Sequence, residues 1–304
     1  MYMDYLIIGG SGFIGQQLTR HLLDNGKSVI VKTRNKTKTQ EVFEKIGCAP
    51  IVIESYDEII KDEFPQNVIC LAGAGIVDKR WTPQRKTELI FSRTQPLTTL
   101  RAWLTKLGIK LDKLLIGSAI GYYGYGNNTE QQLSESSAPH QDFVHKICQQ
   151  TETQTEHLYD NFSTIVSLRT GMVLGKNGGA LTKMALPAKF CLNGKIGDGR
   201  QWVSWIHIDD WIAAVIYIFN LETPAENYNL CSPNPVRNDE LSRVIGTALN
   251  RKLQLPVPSF SLKLLLGEAS VLLTGSQKVI PEQLTNDDFK FLYPNIDSAL
   301  ASLL

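Results

Sequence analysis

The chain has 304 residues, of which 43% are hydrophobic, and its formal net charge at pH 7 is +1. This length and composition suit one α/β domain with a large buried core, alone or with a smaller appendage. The near-neutral charge gives no electrostatic basis for binding nucleic acid or a membrane surface, and no apolar run is long enough for an ordinary transmembrane helix.

The first predicted element is a buried strand near 4–9 that breaks at a glycine-rich turn and restarts as an amphipathic helix near 13–25. Gly9, Gly12 and Gly15 are spaced three apart, which allows a tight turn, close approach to a pyrophosphate, and close packing of the helix on the strand. Unpaired N–H groups at the helix start would then face the anion. The alternative is a glycine-rich turn with a purely structural role. The predicted dinucleotide-binding turn consists of Gly9, Gly10, Ser11, Gly12, Phe13, Ile14 and Gly15.

The second predicted strand, 28–33, ends at a position that helps to distinguish the two nicotinamide dinucleotides. An NAD enzyme usually has Asp or Glu here to bond the ribose 2′-hydroxyl, whereas this chain has Thr33 and Arg34, followed by Lys36 and Lys38. A 2′-phosphate would meet a guanidinium group in a positive field. The pattern therefore favours NADP(H) over NAD(H). The alternative is that these residues form only a solvated basic loop.

Strands and helices continue to alternate, which predicts an α/β fold with a Rossmann-type, doubly wound parallel sheet that binds its cofactor at the carboxyl ends of the strands. We assign residues 1–225 to this dinucleotide-binding domain. Residues 226–304 contain more prolines and are predicted to form a smaller C-terminal helical cap. The further predicted strands lie near 50–54, 67–72, 113–118 and 164–169, and the predicted helices near 83–107, 141–158, 210–220, 238–250 and 260–273.

The catalytic group is harder to assign. Many hydride-transfer enzymes combine a Ser, a Tyr and a Lys four residues after the Tyr, and the Lys lowers the tyrosine pKa from its usual value of about 10. Ser118 ends the fifth predicted strand, where such a serine would lie, but the helix that should carry the Tyr-Lys pair begins Gln141–Cys148 and holds no tyrosine there. Tyr122 and Tyr123 follow Ser118 and are the remaining candidates.

Three interpretations remain open. In the first, Tyr122 or Tyr123 is the acid/base group, helped by Ser118 and by a distant cation such as Lys183 or Arg200. In the second, the protein binds NADP(H) but has lost fast catalysis and acts as a sensor. In the third, the tyrosines form a packed aromatic lid and the serine hydroxyl bonds the backbone.

Two polar residues near other strand ends have simpler expected roles. Arg169, at the end of the sixth predicted strand, is expected either to orient an anionic substrate or to pair with a buried acid. His207 lies in an apolar alternation followed by acids, so we expect a satisfied strand histidine and not a catalytic one.

Several motifs, including Gly9–Gly15, Ser118–Gly124, Trp205–Asp210, Gly275–Pro281 and Phe289–Pro294, resemble the extended, epimerase-type short-chain dehydrogenase/reductases. More narrowly, they resemble the "epimerase family protein" branch, which ends in a domain of unknown function, here at about 250–300. The resemblance implies NADP(H) binding. Besides the glycine turn, the implied cofactor contacts are Thr33, Arg34, Leu71, Ala72, Gly73, Glu88, Arg93 and Val173.

The expected reaction is reversible oxidation and reduction at a hydroxyl-bearing carbon, and by analogy with the family the substrate is a nucleotide sugar. The alternative is a catalytically weak, NADP(H)-responsive regulator, since relatives in plastids and bacteria look like factors linked to division. We expect a small-molecule substrate, no nucleic-acid or membrane partner, and a monomer or homodimer.

The cysteines are scattered and form no Cys-x-x-Cys pair, so we expect reduced thiols, a cytoplasmic location and no metal site. No signal peptide is visible at the first residues. The five cysteines are Cys48, Cys70, Cys148, Cys191 and Cys231.

Overall fold

The computed structural model describes residues 3–60, 63–126, 130–176, 178–188, 194–249 and 255–304. The strands are β1 (Met3–Ile8), β2 (Val29–Lys32), β3 (Ile51–Ile53), β4 (Pro65–Cys70), β5 (Leu111–Ala119), β6 (Gln132–Leu133), β7 (Phe162–Thr170), β8 (Met172–Gly175), β9 (Trp202–Val203), β10 (Trp205–His207), β11 (Asn227–Leu230), β12 (Val236–Arg237) and β13 (Lys278–Val279). The α-helices are α1 (Phe13–Asp24), α2 (Lys36–Lys45), α3 (Pro83–Leu107), α4 (Phe143–Glu152), α5 (Gly179–Ala188), α6 (Ile208–Asn220), α7 (Asn238–Ala248), α8 (Ser259–Leu266), α9 (Val271–Thr274), α10 (Glu282–Asn286) and α11 (Ile296–Leu303).

Seven of these strands form one parallel sheet in the order β11-β7-β5-β4-β1-β2-β3. From β1, the chain adds β2 and β3 on one side and then returns to add β4 and later strands on the other. The carboxyl ends of β1 and β4 therefore border the crevice where ligands bind in open α/β sheets. The predicted doubly wound Rossmann-type sheet is confirmed.

Helices cover both faces of the sheet, which explains why the central strands are almost continuously apolar. In β1, Ile7 packs into the core formed with α1, α2 and α6, whereas Leu6 and Ile8 pack into the core formed with α3. Leu6 and Ile7 are both fully buried. This two-sided burial fixes the carboxyl edge of the sheet as the place where polar chemistry can occur.

The structure departs from the predicted elements at three helices. The helix predicted near 260–273 is divided into α8, a 3-10 turn (Gly267–Ser270) and α9, because Gly267 has a φ of +62°. The basic segment after Arg34 begins a helix, α2, because the Asn35 side chain caps it by accepting a hydrogen bond from the Lys38 N–H. The helix predicted near 141–158 ends as α4 at Glu152 and continues as a 3-10 turn, Thr153–His157.

The C-terminal region is tied to the sheet by strand pairs and by single polar contacts. Residues 227–230, just beyond the boundary drawn at 225, supply the edge strand β11. Farther along, β12 pairs with β9 and β13 with β6. The Asp210 carboxylate accepts hydrogen bonds from the N–H groups of Leu292 and Tyr293 at 2.7 and 2.9 Å. In the described part of the chain, no helix combines the length and apolarity that crossing a bilayer requires.

Burial makes a prediction for the cysteines. Cys70, Cys148 and Cys231 are buried, and burial raises the pKa of the Cys70 thiol to about 11 and that of Cys148 to about 12. We therefore expect iodoacetamide at pH 8 to modify Cys48, which is partly exposed, while these three react only after unfolding. Peptide mass spectrometry measures this site by site. Fast labelling of Cys148 in the folded protein would contradict its position. Cys191 lies outside the described residues.

Candidate cofactor and substrate site

The glycine turn between β1 and α1 has no room for side chains at two of its glycines. Gly9 has a φ of +84°, and a Cβ atom there would lie 2.7 Å from the backbone nitrogen of Ala72. A Cβ atom on Gly15 would lie 2.6 Å from the Cα of Gly10. The turn is therefore packed directly against the end of β4, and α1 starts directly against the turn.

Gly12, the middle glycine of the motif, faces open space. Gly12 is the N-cap of α1, and among the described residues a Cβ atom there would meet only the Gly9 carbonyl oxygen, at 3.5 Å. No described side chain caps this helix, and its first turn carries no acidic residue. The N–H groups at the start of α1 are thus available to an anion, and this cradle fits a dinucleotide diphosphate.

Phe13 closes the crevice on the side of α5. A Cβ atom on Gly178 would lie 2.1 Å from the Phe13 ring, and one on Gly175 would lie 2.5 Å from it. Val173, in β8 just before these glycines, is buried and packs in the same core. Ile14, next to Phe13, is partly buried against that core. Glycines after β8 are therefore needed to seat an aromatic side chain of the nucleotide-binding turn.

At the other end of the crevice, Arg34 is exposed and pairs with no described carboxylate, whereas Lys36 is bound to Glu58 at 2.7 Å. Glu88, across the crevice on α3, bonds Arg85 at 2.8 Å. This contact lowers the pKa of Glu88, and the charges of Lys79 and Arg34 lower it further. Thr33, at the strand end, shares a hydroxyl contact of 2.7 Å with Thr39. Arg34 is thus the cation at the end of β2 that is free to meet a phosphate.

The wall of the crevice beyond β4 consists of Leu71, Ala72 and Gly73. The guanidinium of Arg93 lies against Gly73, because a Cβ atom there would be 3.0 Å from its Cζ. Arg93 donates hydrogen bonds to the carbonyls of Leu89 at 2.8 Å and Ala74 at 3.1 Å, and burial lowers its pKa. A partly buried cation therefore lies beside the predicted cofactor position.

The face of α4 that lies against the end of β5 explains the missing tyrosine and lysine. A Cβ atom on Gly121, just after β5, would lie 2.5 Å from Val144 and 3.5 Å from the Cys148 sulfur. These two residues are four apart, the spacing of the usual Tyr-Lys pair. On the face of α4 that meets the end of β5, this spacing is therefore taken by an apolar side chain and by a thiol whose pKa burial raises.

The next residue on this face of α4, Glu152, is the centre of a buried polar network. Arg169 bonds its carboxylate through Nε at 3.1 Å and Nη2 at 2.9 Å, and the side chains are only 3% and 11% exposed. Ser118 donates to the same carboxylate at 2.6 Å. Tyr123 accepts from Arg169 at 3.2 Å and donates to Asn229 at 2.7 Å. Arg169 thus pairs with a buried acid, one of the two roles expected for it.

The three residues predicted to be catalytic, Ser118, Tyr122 and Tyr123, all contact this network. The hydroxyls of Ser118 and Tyr123 are both engaged inside it, and burial raises the pKa of Tyr123. The Tyr122 ring stacks on Arg169, whose Cζ lies 3.4 Å from the ring centroid, and lines a cavity of about 340 Å³ with Glu152 and Tyr159.

A larger cavity of about 980 Å³ lies between the sheet domain and the C-terminal helices. Tyr125, which sequence reasoning missed, lines it together with Trp81, Val144 and Arg200. The only sequence signal for Tyr125 is that it is the third aromatic in Tyr-Tyr-Gly-Tyr. Lys183, the other predicted cation, is instead bound to Asp78 at 2.9 Å.

His207 is buried and has a structural role. Its Nδ1 accepts the N–H of Asp209 and thereby caps α6, its Nε2 lies 3.1 Å from the Ser302 hydroxyl, and its ring stacks on Tyr293. Burial lowers its pKa. These contacts agree with the expected satisfied histidine.

The parallel sheet, the switch-point crevice and the open glycine turn define the class: a Rossmann-type protein of the extended short-chain dehydrogenase/reductase class. The model of the NAD dependent epimerase/dehydratase family matches residues 5–231, and that of a domain of unknown function, DUF1731, matches residues 257–303. The chain therefore belongs to the NAD-dependent epimerase/dehydratase family, in the branch that ends in this C-terminal domain.

Individual relatives cover the whole chain. An epimerase family protein of Staphylococcus aureus (strain N315) is 33% identical over 305 residues, 99% of each chain. The human epimerase family protein SDR39U1 (isoform 2), solved with NADPH, has a TM-score of 0.85 and 27% identity over 99% of each chain. A nucleoside-diphosphate sugar epimerase of Corynebacterium glutamicum shares the fold at a TM-score of 0.75 and 24% identity, over 99% of this chain and 58% of that one.

Proposed function

We propose that this protein binds NADP(H) in the crevice between β1 and β4. Two observations carry the proposal. No described side chain caps the N-terminus of α1, which suits the diphosphate, and Arg34 at the end of β2 pairs with no described carboxylate, which suits a 2′-phosphate. The NADPH bound to the human relative supports it. Leu71, Ala72, Gly73, Glu88, Arg93 and Val173 are proposed to line the rest of the crevice.

The proposed reaction is reversible oxidation and reduction at a hydroxyl-bearing carbon of a small molecule bound in the larger cavity. A bound nicotinamide supplies or accepts hydride. Tyr125 is the tyrosine that lines this cavity, and its hydroxyl bonds no described residue. Burial and the nearby Asp142 raise its pKa, so its hydroxyl stays protonated at neutral pH and can donate a hydrogen bond to a carbonyl oxygen. Ser118, Tyr122 and Tyr123 stay predictions.

Replacing Arg34 by alanine tests the cofactor assignment. We expect NADPH affinity to fall by about 1.5–3 kcal/mol, the value of hydrogen bonds to a charged group, with little change for NADH, which lacks the 2′-phosphate. Fluorescence titration of both coenzymes measures the difference. Lys45→Ala, an exposed lysine at the end of α2, is the matched control. Equal weakening of NADPH and NADH by Arg34→Ala would contradict the 2′-phosphate contact.

A second candidate function is a cofactor-responsive regulator without fast turnover. It is favoured by Val144 and Cys148, which lie four residues apart on the face of α4 that meets the end of β5, where neither a tyrosine nor a lysine is present. The two candidates differ in NADPH consumption over a panel of carbonyl compounds and nucleotide sugars. We expect turnover that falls at least about a hundredfold in Tyr125→Phe but less in Tyr122→Phe, within the range that positioned proton transfer contributes. Tight NADPH binding with no turnover on the panel would favour the regulator.

We also propose a cytoplasmic location and a small-molecule substrate. The location is supported by Cys48, Cys70, Cys148 and Cys231, which are free thiols, as expected in a reducing compartment.

A further inference from the structure

The 980 Å³ cavity has an apolar wall formed by side chains from separate segments of the chain. Trp81 and Phe143 meet edge to face with ring centroids 5.0 Å apart. Val144, Tyr125 and Val271 belong to the same apolar cluster and also line the cavity. A ligand entering this part of the cavity meets mostly aromatic and aliphatic surface.

The polar groups in this wall are already engaged, with one exception. The Trp81 indole N–H donates to the Ile76 carbonyl at 2.9 Å. Each oxygen of the Asp142 carboxylate accepts a backbone N–H, from Tyr125 and from His145, both at 2.8 Å. The Tyr125 hydroxyl is therefore the polar group that the described part of this wall offers to a ligand.

The charged groups of the cavity lie on its other walls, and most carboxylates there are paired. Glu130 is bound to Arg237 at 2.7 Å, and Glu268 to Lys86. Two cations that line the cavity, Arg200 and Lys263, pair with no described carboxylate. Asp142 and Asp198 line the cavity as well, and Asp198 accepts the backbone N–H of Arg200 at 3.0 Å, so the lining as a whole carries no excess of positive charge. The guanidinium of Arg200 and the ammonium of Lys263 are the cations there with which an anionic group of a ligand could pair.

One loop contributes to both the cofactor crevice and the cavity. It begins after β4 with Leu71 and Ala72, which lie against Gly9 of the glycine turn. It continues through Ala74 and Ile76, which belong to the apolar cluster, and ends at Trp81, which lines the cavity.

We propose that the substrate of this site is a ketone or alcohol with a flat apolar body and one carboxylate or phosphate, and not a nucleotide sugar. The body would lie against Trp81 and Phe143, the reacting oxygen at Tyr125, and the anionic group near Arg200 and Lys263. A sugar ring would place several hydroxyls against a wall that leaves them without hydrogen-bond partners, which is costly. This inference rests on the proposed function, because it names the substrate class of the same site.

Isothermal titration calorimetry of the full chain with saturating NADP⁺ tests the proposal. The probes are 4-acetylbenzoate, acetophenone, which has the same ring and ketone but no charge, and UDP-glucose. The test variant is Arg200→Gln with Lys263→Gln. The control is Arg101→Gln with Lys106→Gln, the same change in charge at exposed positions of α3 that do not line the cavity.

We expect 4-acetylbenzoate to bind at least tenfold tighter than acetophenone or UDP-glucose, and the tenfold preference over acetophenone to disappear in the test variant but not in the control. Equal binding of the two ketones, tighter binding of UDP-glucose, an unchanged test variant, or no saturable binding of 4-acetylbenzoate would overturn the proposal. A parallel NADPH titration separates the two claims: a protein that binds NADPH but not 4-acetylbenzoate overturns only the substrate class, whereas binding of neither overturns the proposed function as well.

Discussion

Replacing Arg169 by alanine is expected to lower the free energy of unfolding by about 3–5 kcal/mol, the usual cost of breaking a buried ion pair from one side. The reason is that Glu152, only 11% exposed, would keep its charge without the guanidinium that now bonds both of its oxygens. The Tyr122 ring would also lose the cation on which it stacks. Urea denaturation followed by circular dichroism measures the loss.

Two further variants serve as comparisons: a smaller change in the same network and a change on the protein surface. Ser118→Ala removes one hydrogen bond to the same carboxylate and is expected to cost about 1 kcal/mol. Arg101→Ala, on the exposed surface of α3, is expected to cost less than about 0.5 kcal/mol. If Arg169→Ala lowered the free energy of unfolding no more than Arg101→Ala, the buried network around Glu152 would not stabilise the fold, contrary to this account.

The second large effect is expected at Gly12, where a substitution should weaken NADPH binding strongly while leaving the stability of the fold almost unchanged. Gly12→Ser places a good N-cap side chain where only one atom is within 4 Å, so stability should change by only a few tenths of a kcal/mol. The same hydroxyl would occupy the open N–H groups and the space that the diphosphate needs. We therefore expect the dissociation constant for NADPH to rise at least about a hundredfold, or about 2.7 kcal/mol. Thermal unfolding and NADPH titration measure the two quantities.

Gly15→Ser provides the contrast. A Cβ atom there would overlap the backbone of Gly10, so this variant is expected to lose both stability and NADPH binding. If Gly12→Ser bound NADPH as tightly as the wild type, the diphosphate could not lie at the start of α1, and the assignment of the glycine turn would be wrong.

Local sequence pattern was sufficient for most of the fold. The strands of the parallel sheet up to β7, and helices such as α1 and α3, follow from apolar runs, glycine stops and proline starts that are each contained within a short segment. The edge strand β11 and the helices α5, α10 and α11 were not predicted. Neither was α2, whose polar sequence buries only Thr39 and Phe43 and depends on the Asn35 cap. Short polar helices give little periodic signal.

The site was predicted less completely, because its contacts join distant segments. The carboxylate that Arg169 and Ser118 share comes from Glu152, on a helix between them in sequence, and the partner of Tyr123 is Asn229, 106 residues away. No local spacing encodes such pairings. Which tyrosine of Tyr122, Tyr123 and Tyr125 lines the large cavity likewise depends on the 3-10 turn Ile120–Tyr123 and on its packing against α4.

The central claim is tested most directly by titrating the unmodified protein with NADPH and with NADH under the same conditions and comparing the two dissociation constants. We expect saturable binding of NADPH that is at least tenfold tighter than that of NADH, because Arg34 is available to a 2′-phosphate and no acid stands at the end of β2. Absence of saturable binding for both coenzymes would contradict the account.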